Sequence, residues 1–200
     1  MTTTIGAAVI GTGHIGKRHI EEITKNLGIS LIASYDSDPE KNILPSSKNN
    51  LESILTDPKI NVVHICTPNS SHGELAIQVL NHYKHVVIEK PMCLDTNTAG
   101  EILNLANSKN LHVFCVMQNR YSPPSQWLKE IVEKKKLGEI FIVQINCYWN
   151  RDDRYYKKGG WKGTKENDGG TLFTQFSHFI DIMYWLFGDI KNIEGKFNDF

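Results

Sequence analysis

The stretch IGAAVIGTGHIG, residues 5–16, decides the fold of this chain. An apolar run from Ile5 to Ile10 precedes Gly11, Gly13 and Gly16, which have the spacing G-x-G-x-x-G, and a helical pattern follows. A strand, a glycine turn and a helix in this order are what a dinucleotide-binding unit requires. We expect Gly11 to form the tight turn, Gly13 to admit a pyrophosphate close to the backbone, and Gly16 to let the helix pack on the strand.

A carboxylate follows the glycines at the spacing that a dinucleotide site needs. Asp36 lies twenty residues after Gly16 and ends a second apolar run, Leu31 to Tyr35. An acidic side chain in this place binds the adenosine ribose hydroxyls and repels a 2′-phosphate. Because no arginine follows directly, the sequence favours NAD over NADP. The alternative is that Asp36 is only a turn residue before Pro39.

Composition narrows the class of protein. The chain has 200 residues, of which 40% are hydrophobic, and its 22 basic and 22 acidic residues give no basic excess for nucleic acid. The sequence starts without a positive leader region, and no apolar run has the length of a membrane span. These features predict a cytoplasmic protein of one large or two small domains, without a nucleic-acid or membrane partner.

Cysteines and histidines give no sign of a metal or a disulfide. The four cysteines lie far apart without a C-x-x-C pair, and the eight histidines are scattered without ligand spacing. We therefore expect reduced cysteines in the core and no structural metal. The cysteines are Cys66, Cys93, Cys115 and Cys147.

Strands and helices alternate through the first part of the chain. Besides the two runs above, apolar runs predict strands at 61–66, 85–88 and 112–117, with helices at about 14–25, 51–55, 71–83 and 96–109. Continuous apolar runs are typical of parallel strands that are buried on both faces. The sequence therefore predicts an α/β fold, with an N-terminal Rossmann domain over residues 1–119.

Polar residues follow three of the predicted strands. They are Thr67-Pro68-Asn69, Glu89-Lys90-Pro91 and Gln118-Asn119-Arg120. In parallel sheets, ligands bind outside the carboxyl ends of the strands. We expect these residues to line one cleft together with the glycine turn.

The pattern changes after residue 120. We predict a helix over about 124–136, a partly alternating strand over 139–150, an aromatic and basic loop over 151–165, a helix over 171–187 and a strand starting at 191. Alternation with one wetter face indicates an antiparallel, half-exposed sheet. Two strands are too few for independent stability. We therefore expect residues 120–200 to be the start of an α+β domain that is truncated or completed by a partner.

Lys90 is the first candidate for proton transfer. It lies between Glu89 and Pro91 at the end of a buried strand, where partial desolvation lowers the pKa of an amine and Glu89 opposes that change. The alternative is an exposed lysine in a turn, but the cofactor site beside it favours catalysis. The Lys90–Pro91 bond is a candidate for the cis form.

His178 is the second candidate. On the predicted helix 171–187 it shares a polar stripe with Thr174, Asp181 and Trp185, at spacings of four, three and four residues. The alternative is a core histidine that bonds a backbone carbonyl or Asp181. We expect Asp181 to orient or support the helix.

Two further features allow two interpretations each. His72, in the first turn of its helix, either contacts the cofactor or belongs to the capping region. The loop around Trp161 either stacks on a sugar or a nucleotide base or fills a small core cluster. Its mixture of Arg, Tyr, Trp and Gly favours binding.

Four motifs identify a family resemblance. They are GTGHIG at 11–16, CTPNSSH at 66–72, EKP at 89–91 and DGGTLFTQFSHFID at 168–181. Together they resemble the glucose-fructose oxidoreductase and inositol dehydrogenase family (Gfo/Idh/MocA) over nearly the whole chain. The resemblance implies a nicotinamide-dependent sugar oxidoreductase with Lys90 and His178 in its active site, and a second domain with a mostly antiparallel, open-faced sheet.

One position departs from the common pattern. Thr174 stands where many members have an aspartate, so the proton relay of inositol-type dehydrogenases is not implied. The segments NCYWNRDDRYY at 146–156 and GGWKGTKENDGG at 159–170 instead resemble the branch that oxidises the 3-hydroxyl of UDP-N-acetylglucosaminuronic acid. That branch serves the synthesis of cell-surface polysaccharide, the lipopolysaccharide O-antigen.

The resemblance also implies a set of site residues, with NAD as cofactor and no metal. The implied cofactor-binding residues are Gly11, Gly13, His14, Ile15, Asp36, Thr67, Asn69, His72, Glu89, Lys90, Gln118 and Trp161. The implied substrate-binding residues are Lys90, Asn119, Arg120, Asn150, Arg151, Arg154, Tyr156, Thr164, Thr174 and His178. Arginine forks suit the carboxylate or diphosphate of a nucleotide sugar. The full-length form is expected to be a homodimer or homotetramer.

Three other functions stay open at this point. The protein is alternatively a dehydrogenase of another sugar or of inositol, an NAD-dependent glycosidase that works by transient oxidation, or a non-catalytic sensor of NAD or a sugar nucleotide. Fold alone does not separate these functions.

Overall fold

The structure is a computed structural model that describes residues 4–42, 44 and 46–196. The chain forms two compact units. The first comprises residues up to 116 together with 151–174, and the second comprises 117–150 together with the residues from 175 onwards. The first unit is therefore discontinuous in sequence. The domain boundary expected at residue 119 stays a prediction.

Strands and helices alternate up to residue 116, and helices dominate thereafter. The strands are β1 (Ile5–Ile10), β2 (Ile29–Tyr35), β3 (Val62–Ile65), β4 (His85–Ile88) and β5 (Val113–Cys115). The helices are α1 (His14–Lys25), α2 (Glu52–Leu55), α3 (His72–Asn81), α4 (Thr96–Ser108), α5 (Pro123–Glu133), α6 (Lys165–Asp168), α7 (Thr171–Thr174) and α8 (Ser177–Phe187). Single 3₁₀ turns occupy Pro39–Lys41, Asn69–Ser71 and Gln118–Tyr121.

Local sequence explains where the longer helices begin. The Asp95 carboxylate accepts a hydrogen bond from Thr98 N at 2.8 Å, which caps α4. Ser122 caps α5 in the same way, and Pro123 follows at the first helical position, where its missing N–H costs nothing.

The strands of the first unit form one five-stranded parallel sheet in the order β2-β1-β3-β4-β5. This confirms the expected α/β Rossmann domain. Helices cover both faces of the sheet, and each face has its own buried cluster. Val63, Ile65 and Ile88 pack in one cluster, and Val9 packs with Ile23 of α1 in the other.

The turn after β1 shows why it needs glycines. Gly11 has a φ of +87°, a region that L side chains rarely adopt. A Cβ on Gly16 would lie 1.8 Å from the Gly11 carbonyl oxygen, so a larger residue would push α1 away from β1. A Cβ on Gly13 would meet no described atom within 4 Å, which leaves open space at the N-terminus of α1.

The long strand expected at 139–150 was a wrong prediction. The structure has no strand there, and Phe141, Ile142 and Tyr148 are 82%, 86% and 93% exposed. A strand needs a partner for its peptide groups, and no other described segment pairs with this one. The strand expected from 191 is likewise absent through residue 196, and residues 197–200 lie outside the described part. The expected antiparallel sheet is therefore not formed by the described residues.

The single helix expected over 171–187 is two helices, α7 and α8. A tertiary contact accompanies the break, because Lys90 Nζ donates a hydrogen bond to the Thr174 carbonyl at the end of α7. The prediction that Thr174 shares one helical stripe with His178, Asp181 and Trp185 is therefore wrong. His178, Asp181 and Trp185 lie on α8, whereas Thr174 ends α7 in the first unit.

The cysteines only partly follow the expectation. None of the four forms a disulfide. Cys66 is buried in the cluster beneath α1, whereas Cys93, Cys115 and Cys147 are half-buried. Only Cys66 is thus a core residue, because Cys93 lies in a loop, Cys115 ends the edge strand β5, and Cys147 lies in the segment that forms no strand.

A histidine interrupts the apolar layer between the sheet and α1. His64 on β3 lies between Val62 and Cys66, which belong to that layer. Its Nδ1 lies 2.9 Å from the Nδ1 of His19 on α1. Burial first, and the charge of His19 second, lower the pKa of His64 to about 4. His64 is therefore neutral at pH 7.

We expect Gly16→Ala to destabilise the protein by about 3 kcal/mol, because the new methyl group overlaps the Gly11 carbonyl. Urea unfolding measures the change. Gly100→Ala on α4 is the matched control, because a Cβ there meets no described atom within 4 Å and an alanine favours the helix. An equal loss of stability in both variants would contradict the packing argument.

We also expect stability to fall as the pH drops from about 6.5 to about 4. In this window the unfolded chain protonates His64 while the folded state keeps it neutral. The unfolded state then binds more protons, so the free energy of unfolding decreases by up to about 3 kcal/mol. Urea unfolding across the window should show a shallower pH dependence for His64→Gln. The surface variant His82→Gln should keep the wild-type slope, and equal slopes for all three proteins would exclude His64 as the cause.

Candidate active site

The carboxyl ends of four neighbouring strands carry the candidate site of the first unit. The glycine turn follows β1, Asp36 follows β2, Thr67 to Asn69 follow β3, and Glu89 to Pro91 follow β4. All four strands are parallel, so these residues lie along one edge of the sheet. The residues after β5, Gln118 to Arg120, belong to the second unit.

Asp36 and the glycine turn form one hydrogen-bonded structure. Thr12 N donates to Asp36 Oδ2 at 2.7 Å, and Gly11 N donates to the Tyr35 carbonyl at 2.8 Å. Asp36 Oδ1 accepts from Asp38 N at 3.0 Å. The carboxylate is therefore fixed beside the turn, where a ribose-binding group of a dinucleotide site belongs.

The residues of the turn fit a dinucleotide. The open space at Gly13 lies at the N-terminus of α1, where free N–H groups and the helix dipole favour a phosphate. His14 is exposed at this end of the helix. Ile15 packs on the cluster beneath α1, so its main chain, rather than its side chain, is the part that faces this space.

The buried side chain of His72 connects the loops that follow β3 and β4. It is only 1% exposed, and its Nδ1 and Nε2 lie 2.7 Å from the Pro91 carbonyl and 2.9 Å from the Thr67 carbonyl. Both ring nitrogens thus face main-chain oxygens. This geometry gives His72 a role in holding the loops, and its direct contact with a cofactor stays a prediction.

The Lys90 side chain is partly shielded from solvent. Burial lowers its pKa, and the carboxylates of Glu89 and Asp168 oppose that shift. Cys115 acts in the same direction as the carboxylates, and Lys162 acts with burial. The amine donates to the Thr174 carbonyl, and the Lys90–Pro91 peptide bond is cis.

Two half-buried histidines form a chain of contacts that ends at Glu89, and the sequence analysis missed this connection. His19 Nε2 lies 3.0 Å from Glu89 Oε1, and Nδ1 of the same ring contacts His64. The side chains of His19 and Glu89 are only 13% and 10% exposed. Helical spacing was the available signal, because Ile15, His19 and Ile23 are four residues apart on one face of α1.

The returning segment 151–174 is anchored to the end of β3. Asn69 is 5% exposed, and its Nδ2 donates to the Asp168 carbonyl at 2.9 Å. Asp168 is 3% exposed, and its Oδ2 accepts from Gly163 N at 2.7 Å. Asp168 Oδ1 has no hydrogen-bond partner among the described residues. Sequence reasoning took Asp168 only as the start of a helix and missed this buried anchor.

Two cations flank one aromatic ring in the same segment. The guanidinium carbon of Arg151 lies 4.4 Å, and Lys162 Nζ 4.0 Å, from the centre of the Tyr155 ring. Burial first, and the charge of Arg151 second, lower the pKa of Lys162. The two cations therefore repel each other, and an anion bound between them would relieve that repulsion. Lys162 is a further residue that the sequence analysis did not select.

The remaining predicted residues of this segment have different environments. Arg154 is exposed and pairs with Asp152, with Nη2 2.6 Å from Oδ2. The Thr164 hydroxyl donates to the Trp161 carbonyl at 2.7 Å, which fixes the backbone near the half-buried indole. Tyr156 lies against Gly163. Their predicted contacts with ligands stay predictions.

In the second unit the predicted residues form two pairs. Gln118 Nε2 lies 3.4 Å from His178 Nε2. Arg120 Nε donates to Asp181 Oδ2 at 2.8 Å, and its Nη2 bonds the other oxygen. Asp181 thus supports α8 through Arg120. Asn119 is half-buried in this unit, and Asn150 is exposed at the end of the segment that forms no strand.

Two absences apply to the described residues only. No group of three or more His, Cys, Asp or Glu side chains in ranges 4–42 and 46–196 is arranged to hold a metal ion. No helix within the part of the chain that the structure describes is long and apolar enough to cross a membrane.

Known proteins resemble this chain over almost its full extent. An uncharacterized oxidoreductase of Synechocystis sp. is 31% identical over 193 residues, which is 93% of this chain and 52% of that protein. The scyllo-inositol 2-dehydrogenase (NADP⁺) IolW of Bacillus subtilis is 30% identical over 95% of this chain and 54% of its own. The chain spans about half the length of the curated relatives it matches.

One solved structure is similar to this chain over most of its length. The WlbA dehydrogenase of Chromobacterium violaceum, solved with NADH and UDP-GlcNAcA, superposes with a TM-score of 0.88 at 31% identity. The match covers 94% of this chain and 57% of that one.

Two family models match the chain. The oxidoreductase family model with the NAD-binding Rossmann fold covers residues 5–117, and the GFO/IDH/MocA C-terminal domain model covers residues 125–200. The motifs at the strand ends, the parallel sheet and these matches agree. This chain therefore belongs to the Gfo/Idh/MocA oxidoreductase family.

Proposed function

We propose that this protein is an NAD-dependent dehydrogenase that oxidises a secondary hydroxyl of a nucleotide sugar, C3 of UDP-N-acetylglucosaminuronic acid. The observation that carries the proposal is the Lys90 amine, which burial makes less basic at the strand edge that also holds the glycine turn and Asp36. A lowered pKa brings an amine closer to the range in which it can exchange a proton with a hydroxyl group. The similarity to the WlbA dehydrogenase supports the choice of substrate.

In this mechanism Lys90 Nζ accepts the proton of the sugar hydroxyl while the hydrogen on carbon leaves as hydride. The nicotinamide, when bound, supplies the redox chemistry by accepting that hydride. The bond to the Thr174 carbonyl orients the amine before the substrate arrives. His178 is proposed as a second sugar-binding and proton-carrying group on the strength of its motif alone.

An anionic substrate suits the returning segment. Arg151 and Lys162 flank Tyr155, and their charges would complement a carboxylate or a diphosphate. A neutral polyol such as inositol would bring no charge to complement this pair. The Thr174 hydroxyl donates to the Gly170 carbonyl at 3.1 Å, so it does not take the place of an acid in a proton relay.

NAD is the proposed cofactor because of the charges around Asp36. Its carboxylate is fixed beside Thr12, where it would repel a 2′-phosphate. The nearby cation Lys41 is paired with Asp38, Nζ to Oδ2 at 2.8 Å. The proposed homo-oligomer and the role in lipopolysaccharide synthesis rest on the resemblance alone.

We expect the protein to form reduced nicotinamide when mixed with NAD and UDP-N-acetylglucosaminuronic acid, and Lys90→Ala to lose this turnover by at least about a hundredfold. Absorbance at the reduced-nicotinamide band measures turnover, and calorimetry should show that the variant still binds NAD. Lys59→Ala, an exposed lysine of the same unit, is the control. Full activity of Lys90→Ala would reject the catalytic assignment. Cleavage of a glycoside without net reduced cofactor would indicate a hydrolase instead.

We expect Asp36→Ser to raise the ratio of kcat/KM for NADP to that for NAD by about tenfold or more, because it removes the repulsion of the 2′-phosphate. Steady-state kinetics with both cofactors measures the ratio. Glu101→Gln, which removes an exposed carboxylate on α4, should leave it unchanged. An unchanged ratio in Asp36→Ser would show that this carboxylate does not select the cofactor.

A further inference from the structure

The hydrogen-bonded array His64–His19–Glu89 runs from the layer between the sheet and α1 to the strand-end edge, which Glu89 reaches at the end of β4. His64 comes from the middle of β3, His19 from α1, and Glu89 from the end of β4. A layer of this kind is otherwise apolar, and three titratable groups there cost free energy unless they are mutually bonded. The presence of this bonded set in an otherwise apolar layer therefore calls for a reason beyond packing.

The hydrogen bonds fix most of the protons in this array. The ionised Glu89 carboxylate can only accept, so the Nε2 of His19 carries the proton in their 3.0 Å contact. The 2.9 Å contact between the Nδ1 atoms of His19 and His64 holds one further proton. The other oxygen of the carboxylate, Oε2, accepts from Lys90 N at 3.2 Å.

Glu89 therefore has two donors, one from α1 and one from the main chain of Lys90. Hydrogen bonds from two donors hold a buried carboxylate in one position. The Cys66 thiol also faces Glu89, but burial and the Glu89 charge raise the pKa of that thiol, so it stays protonated and brings no opposing charge. His19 is thus the side-chain donor that fixes the position of the Glu89 carboxylate.

The charge of Glu89 acts on the amine of the next residue. Burial lowers the pKa of Lys90. The Glu89 carboxylate is the first of the groups that oppose this shift. Asp168 and Cys115 oppose it as well, and Lys162 acts in the other direction. The basicity of Lys90 is therefore a balance in which Glu89 has a leading part.

We propose that His19, supported by His64, is a positioning residue for Lys90. It holds the Glu89 carboxylate in place at the end of β4, where the negative charge lies beside the Lys90 amine. His19 touches neither the substrate nor the cofactor in this scheme. The inference rests on the proposed function only insofar as Lys90 carries the hydroxyl proton.

The test measures the titration of Lys90 directly, by NMR of protein labelled at the lysine side chains, with the Lys90 signal assigned by its absence in Lys90→Arg. His19→Leu removes the donor, and Glu89→Gln removes the charge while keeping the size of the side chain and one acceptor oxygen. Both should move the Lys90 titration to lower pH by about one pH unit. The double variant should move it no further than Glu89→Gln alone.

Two variants serve as controls. His19→Gln retains a donor for Glu89 and should restore most of the wild-type titration. His82→Leu makes the same change as His19→Leu at a partly exposed histidine beyond the end of α3, and should have no effect. If His19→Leu does not fold, His19→Asn, whose shorter side chain also withdraws the donor from Glu89, takes its place.

A Lys90 titration that stays at the wild-type pH in either Glu89→Gln or His19→Leu would overturn the inference. The inference would also be overturned if adding His19→Leu to Glu89→Gln shifted the Lys90 titration by the full amount seen in His19→Leu alone. His19 would then act on Lys90 without the carboxylate. In turnover, the rising limb of kcat/KM should move to lower pH with the NMR titration. Lack of turnover with every sugar would reject the proposed function, whereas the NMR result would stand separately.

Discussion

The contact between Gly16 and the Gly11 carbonyl is the constraint on which the first unit depends. Because no side chain separates them, α1 packs directly on β1, and its N-terminus points at the end of that strand. The same approach brings His19 over β3 and leaves open space at Gly13. A bulkier residue would move the helix, and with it both the phosphate-binding end and the buried histidine array.

The parallel sheet converts this single contact into an arrangement of functional groups. Each strand ends at the same edge, so residues that are far apart in sequence, such as Asp36 and Lys90, belong to one surface. Side chains behind that edge then hold the loops. His72 binds the loops after β3 and β4, and Asn69 binds the returning segment at Asp168. The candidate site is therefore positioned by buried polar contacts as much as by its strands.

The first unit could be predicted from sequence because its signals are local. Glycine spacing, continuous apolar runs and the polar residues after each strand each depend on neighbours in the chain. The strand expected at 139–150 could not be judged in this way, since a strand forms only when another segment pairs with it. The break before His178 was also invisible, because it accompanies a bond to Lys90 that lies 84 residues away. The array of His19, His64 and Glu89 could not be predicted from the sequence for the same reason. Each residue is ordinary in its own segment, and only the fold brings the three together.

The Asn69–Asp168 hydrogen bond joins residues 99 positions apart and closes a unit that the chain leaves and re-enters. The chain must lose conformational entropy before such a contact can form and contribute to stability. Proteins rich in distant contacts therefore fold more slowly. The sheet and its helices can assemble from residues up to 116, whereas the anchor around Asp168 must wait for residues 151–174. During synthesis on the ribosome, the strand-end surface would then exist for a time without its covering segment, and completion of the site would be a late event in the folding of this chain.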